Sequence, residues 1–140
     1  VYTFGVSESI RILAGVLAEL QAAARAHGDR ECCGLLAARD GAITTLLPAA
    51  NALASATAYE IAPRELFDLF RRIRAERLEF AGIYHSHLSA DNVPSPRDVE
   101  RAFYPDAAYL IVSARADTLK AIRAFSIRAG RVAELQIIAV

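Results

Sequence analysis

Paired cysteines, long apolar runs and an excess of either charge are all missing from this chain. Its two cysteines are neighbours, Cys32 and Cys33, so a disulfide framework is excluded and a reducing, cytoplasmic setting fits. Basic and acidic residues number 16 each, for a formal net charge of zero, so the chain shows neither a basic footprint for nucleic acid nor an acidic tail. No apolar run reaches the roughly 18 residues needed to span a bilayer, because Arg11 and Glu19 interrupt the best candidate. The opening residues show no basic stretch ahead of an apolar core, so no export signal is expected. Repeats, low-complexity segments and linkers are absent too. What remains is a chain of 140 residues, 54% hydrophobic, which excludes disorder and predicts one domain over 1–140 with a core of its own.

The patterning predicts mixed strands and helices. Val1–Val6 reads as a short strand. A helix capped by Ser7 or Ser9 should run to about His27, with Ile10, Leu13, Leu17, Leu20 and Ala24 as its buried stripe. Glu31–Ala38 and Ala42–Leu47 read as a hairpin about Asp40-Gly41, followed by a loop to Ala56 and a short strand at Tyr59–Ile61. Pro63 suits the first turn of a second helix, running to about Arg77 with Leu66, Phe70 and Ile73 apolar. Phe80–His87 and Tyr109–Ser113 read as strands, and Leu119–Ile127 with Val132–Val140 as a final hairpin about Ala129-Gly130. The order predicts an α+β (mixed α/β) fold with a mixed sheet.

Only three histidines are present, and two of them, His85 and His87, end the Phe80–His87 strand. Alternation puts both on one face, about 6–7 Å apart at the backbone, with Ser86 on the other. Asp98 follows a short loop, at the third position of a helix that Ser95 caps and Pro96 begins. Two imidazoles, a carboxylate and an open position describe a catalytic metal site rather than a closed structural one. Against this stands the plainer role of Asp98 as a helix-start acid, which is compatible with ligation. Ser95 is a good cap, and its hydroxyl is also placed to donate to a developing oxyanion; spacing alone does not choose.

A hydrolytic metal site needs a base. Glu31, at the mouth of the apolar Cys32–Leu36 run, is the best candidate, ahead of Glu60, Glu79 and Glu100. Cys32 and Cys33 read as small buried hydrophobes, with Cys33 on the Glu31 face. His27 should bond the last carbonyls of the first helix, and Gly34 and Gly82 should mark close backbone approach.

His85-Ser86-His87, seven residues, Ser95, two residues and Asp98 together resemble the signature of the JAMM (MPN-plus) metalloproteases. Glu31-Cys32-Cys33-Gly34 looks like that family's upstream acid, and Tyr59-Glu60-Ile61-Ala62-Pro63 is similar to the segment before the second helix of small bacterial members. The resemblance implies a curved mixed β-sheet packed by helices, related to cytidine deaminase-like folds. It implies one zinc ion held by His85, His87 and Asp98, with Glu31 as general acid/base and Ser95 stabilising the tetrahedral intermediate. The implied substrate is a ubiquitin-like sulfur-carrier protein, cut after its C-terminal Gly-Gly. Leu88 departs from the family, which usually has proline after the second histidine. Two alternatives stay open at this point: a catalytically idle MPN scaffold, and a non-haem iron(II) enzyme, which uses the same two-histidine, one-carboxylate donor set.

Overall fold

The computed structural model describes residues 8–140. The strand expected at Val1–Val6 lies outside them. The described elements are β1 (Ser9–Ile12), α1 (Ala14–Ala26), β2 (Cys33–Arg39), β3 (Ala42–Ala49), α2 (Pro63–Ala75), β4 (Glu79–His87), α3 (Pro96–Glu100), β5 (Ala108–Ser113), β6 (Ile122–Arg128) and β7 (Arg131–Ala139). None of these helices is long and apolar enough to cross a membrane.

The α+β architecture predicted from the sequence is the one observed, and the curved sheet goes further than expected. Its strands follow the order β1-β3-β2-β4-β5-β6-β7, and β1 also pairs in parallel with β7, closing a ring. Both hairpins turn where expected. Asp40-Gly41 and Ala129-Gly130 carry positive φ at both central residues, the twist that two-residue hairpins need.

Each side of the sheet buries its own core, as strand alternation requires. One cluster joins Val16, Leu20 and Ala24 of α1 to residues of all seven strands, among them Ile12, Leu36, Tyr84, Leu110 and Leu135. The other joins Leu69 and Ile73 of α2 to Leu35, Leu47, Ile83, Ile111 and Phe125. The two predicted strand glycines are sites of close approach. A methyl group on Gly34 would collide with the Leu47 carbonyl and the Tyr84 ring, and one on Gly82 with the Ala108 carbonyl.

Three expectations need correction. The first helix starts later than predicted, at Ala14, because Ser9–Ile12 forms β1 instead. Ile10 and Ile12 are buried while Arg11 is exposed, a period of two that is too short to tell from a helical start in sequence. Leu13 is the helix N-cap, no side chain caps it, and Val16 takes a place in the buried stripe. Tyr59–Ile61 is irregular rather than a strand, its backbone being tied to the preceding loop by the Ala52 N–H bond to the Glu60 carbonyl, 2.8 Å. In α2 the most buried residues are Leu69 and Ile73, with Leu66 and Phe70 packed at the margin.

Candidate active site

β4 presents the two histidines. It is paired on both sides, with Cys33 opposite His85 on β2 and Ile111 opposite His85 on β5, so its direction is fixed. Alternation sends Tyr84 into the α1 core and His85 to the α2 side. Ser86 faces away, as predicted, and stitches the sheet: its hydroxyl accepts the Cys32 N–H at 2.8 Å, and its own N–H donates to the Cys32 carbonyl at 3.0 Å.

Asp98 reaches the histidines from α3. Ser95 caps that short helix in a reciprocal box: Asp98 N–H donates to Ser95 Oγ at 3.1 Å, and Ser95 N–H donates to Asp98 Oδ2 at 2.9 Å. His85 Nε2, His87 Nε2 and Asp98 Oδ2 then form a triangle with sides of 3.1, 3.1 and 3.2 Å. A tetrahedral ion with bonds of about 2.0–2.2 Å holds its ligand atoms about 3.3–3.5 Å apart, so a shift of a few tenths of an ångström admits it. Two imidazole nitrogens and a carboxylate oxygen converging on one point are a donor set for a borderline metal ion.

The electrostatics suit ligation at His85 and Asp98. Burial holds His85 below its usual range, keeping it neutral and its lone pair available. Burial alone would raise Asp98, but the hydrogen bonds from His85 and then His87 outweigh it and hold the carboxyl well below the usual range. Burial opposes charge on His87 as well, yet Asp98, the Asp91 carbonyl and Glu31 together raise it. His87 Nδ1 lies 2.7 Å from the Asp91 carbonyl, a contact that fixes the ring as a hydrogen bond on the distal nitrogen does in metal sites.

Glu31 stands two residues ahead of β2, only 4% exposed, and lines the same opening as His87 and Ser95. Its Oε1 is buried without a hydrogen-bond partner among the described residues. Burial pushes its carboxyl up to about 7; the His87 charge opposes this and Asp98 adds to it. An acid poised near neutrality and free of partners is suited to moving protons. Of the weaker candidates, Glu60 is paired with Arg101 at 2.8 Å, while Glu79 starts β4, at the opposite end from the histidines. Both thiols are inert structural groups: burial raises Cys32, and pushes Cys33 up to about 12. His27, as predicted, bonds a late helix carbonyl, that of Ala23, at 3.0 Å.

Four contributors escaped the sequence reading. Tyr59 stacks on His85, with ring centroids 4.4 Å apart and planes 21° from parallel. Asn92, 4% exposed, donates to the Lys120 carbonyl at 2.6 Å and so anchors the loop between His87 and Asp98. Ser113 Oγ adds a 2.8 Å bond to the Ser89 carbonyl, so side chains brace the loop that Leu88 begins. Asn51 is the fourth, joining the backbones of Glu31 and Ala58. A polar residue inside an otherwise featureless loop was the only signal for either asparagine.

The profile of prokaryotic homologues of the JAB domain matches residues 13–128. A desampylase of Haloferax volcanii is 36% identical over 101 residues, covering 70% of this chain and 73% of that protein. A CysO-cysteine peptidase of Mycobacterium tuberculosis is 35% identical over 114 residues, covering 80% and 77%. Among solved structures, a protein of Desulfitobacterium hafniense superposes with a TM-score of 0.84 at 30% identity, covering 94% of this chain and 92% of that one. With the converging histidines and aspartate, these similarities establish that the chain belongs to the prokaryotic JAB-domain family of JAMM peptidases and is a hydrolase of that class.

Proposed function

We propose that this chain is a zinc-dependent peptidase that hydrolyses the amide bond after the C-terminal Gly-Gly of a ubiquitin-like sulfur-carrier protein. The observation that carries the reading is the pairing of a three-donor triangle with a buried, unpartnered glutamate on one opening. The relatives named desampylase and CysO-cysteine peptidase support a ubiquitin-like carrier as substrate, joined through a peptide or an isopeptide bond. The proposed setting is the cytoplasm, which two free, buried thiols suit.

His85 Nε2, His87 Nε2 and Asp98 Oδ2 would hold the ion. When bound, zinc supplies a Lewis acid for a carbonyl and lowers the pKa of water toward neutrality. Glu31 takes the proton from the attacking water on its carboxylate and returns it to the nitrogen of the leaving amine, so the products are a carrier carboxylate and a free amine. Ser95 Oγ already accepts the Asp98 N–H, which leaves its own O–H to donate to the carbonyl oxygen as negative charge builds there.

The test is incubation of the protein with ubiquitin-fold carriers extended beyond Gly-Gly, either by one cysteine or through a lysine side chain, followed by mass spectrometry. Release of a carrier ending in Gly-Gly is expected, and Glu31→Gln should bind zinc yet release none. A zinc-loaded protein that cuts no carrier would instead be a scaffold. Iron in protein purified without added metal would favour an iron enzyme.

A further inference from the structure

Asn51 lies in the connection between β3 and α2 and is half-buried. Its side-chain amide uses its full bonding capacity on backbone groups. Nδ2 donates to the carbonyls of Glu31, 3.0 Å, and Ala58, 2.9 Å. Oδ1 accepts the N–H groups of Leu53, 3.1 Å, and Glu60, 3.2 Å. A longer contact of 3.5 Å reaches the Ser55 carbonyl, which itself accepts the Glu31 N–H at 2.9 Å. Both polar backbone groups of Glu31 are thus tied to this connection. The bonds to Ala58 and Glu60 fall on either side of Tyr59.

Tyr59 matters because of what His85 lacks. His85 is 1% exposed, yet its Nδ1 has no hydrogen-bond partner among the described residues. Metal-binding histidines are ordinarily oriented by a hydrogen bond on that second nitrogen, as His87 is by the Asp91 carbonyl. At His85 the stacked face of Tyr59 is the orienting contact instead.

We propose that Asn51 is a positioning residue that sets the two halves of the site relative to each other. Its amide fixes the backbone of Glu31 to the backbone around Tyr59, and through the Tyr59 ring it fixes the plane of His85. The role assigned to Glu31 rests on the peptidase reading above; the effect on His85 does not.

The experiment uses the full chain carrying Asn51→Asp, Asn51→Ala, Tyr59→Ala or Tyr59→Phe, each confirmed as folded by circular dichroism. Zinc affinity is read by chelator competition, ligand geometry by the absorption spectrum of the cobalt(II) protein, and turnover with a Gly-Gly-extended carrier. Asn51→Asp keeps the acceptor but sets an oxygen against two carbonyls. It should lower kcat by about 10–100-fold with KM changed less than about threefold, weaken zinc about tenfold and shift the cobalt spectrum. Tyr59→Ala should weaken zinc to a similar degree, and Tyr59→Phe, which keeps the ring, should restore the affinity. A residue that only anchors a loop would lower the melting temperature and leave the other readouts unchanged. Folded Asn51 variants with the wild-type metal affinity, cobalt spectrum and kcat would overturn the proposal. If neither Asn51 variant folds, an unchanged zinc affinity in Tyr59→Ala overturns it. If the wild type cuts no carrier, the peptidase reading fails on its own, and the zinc and cobalt measurements still decide the part played by Asn51.

Discussion

His85 and His87 leave a strand that is paired on both edges, whereas Glu31 precedes β2 and Tyr59 belongs to a stretch without regular structure. The donor triangle is therefore built by sheet register and a helix cap, and the acid by side-chain bonds between loops. On the function proposed above, the difference follows from what each task needs. Ligand atoms must keep fixed separations of about 3 Å, which paired strands provide at little entropic cost. A proton carrier needs a dry pocket and an unpaired oxygen, and a loop folded over the strand mouth creates both.

The largest expected effect strikes the sheet-built half. Asp98→Ala should weaken zinc by at least about 10³-fold and abolish turnover, because it removes a ligand and half of the capping box; chelator competition and the cleavage assay measure both. Glu31→Gln should separate the halves, losing about 10²–10⁴-fold in kcat at unchanged zinc stoichiometry. A parallel loss of metal would show that the two halves are not distinct. Ser95→Ala should cost about 10²-fold in kcat if its hydroxyl serves the oxyanion, and about 1 kcal/mol in stability from the lost cap, seen in urea unfolding.

Next in size is a pH effect confined to the metal-free protein. Folding raises Glu31 from 4.5 to about 7, so the native state holds the proton more tightly than the unfolded chain. The stability this contributes is fully present below pH 4.5 and is lost as pH rises through 7. Metal-free Glu31→Gln should thus outlast the wild type at pH 8 by on the order of 1–3 kcal/mol. The gap should close near pH 4 in denaturant titrations. The smallest effect is that of Asn92→Ala, which frees the loop carrying the Asp91 carbonyl and should weaken zinc about tenfold.

The sheet-built half was the legible one. Alternation along Phe80–His87 placed both imidazoles on one face, and Ser95-Pro96 announced the helix that carries Asp98. Tyr59 was visible as an aromatic before Pro63, but an irregular segment has no period from which to read direction. Asn51 and Asn92 were invisible because their partners are backbone groups, some 20 and 28 residues away, and any chain has those everywhere. β1 was lost for a related reason: two buried isoleucines make a strand only in the presence of β7, from the other end of the described chain.

That pairing has a kinetic consequence. Joining Ser9–Ile12 to Gln136–Ala139 closes the longest loop in the sheet, and β1 meets β3 at a single register position, Ile12 with Ile43. Loop-closure entropy makes so distant a contact late to form, and so short a seam is the first to reopen. Amide hydrogens of β1 should exchange well before those of β4 and β5. The protein is thus expected to breathe at its seam while the strand that bears the histidines stays shut.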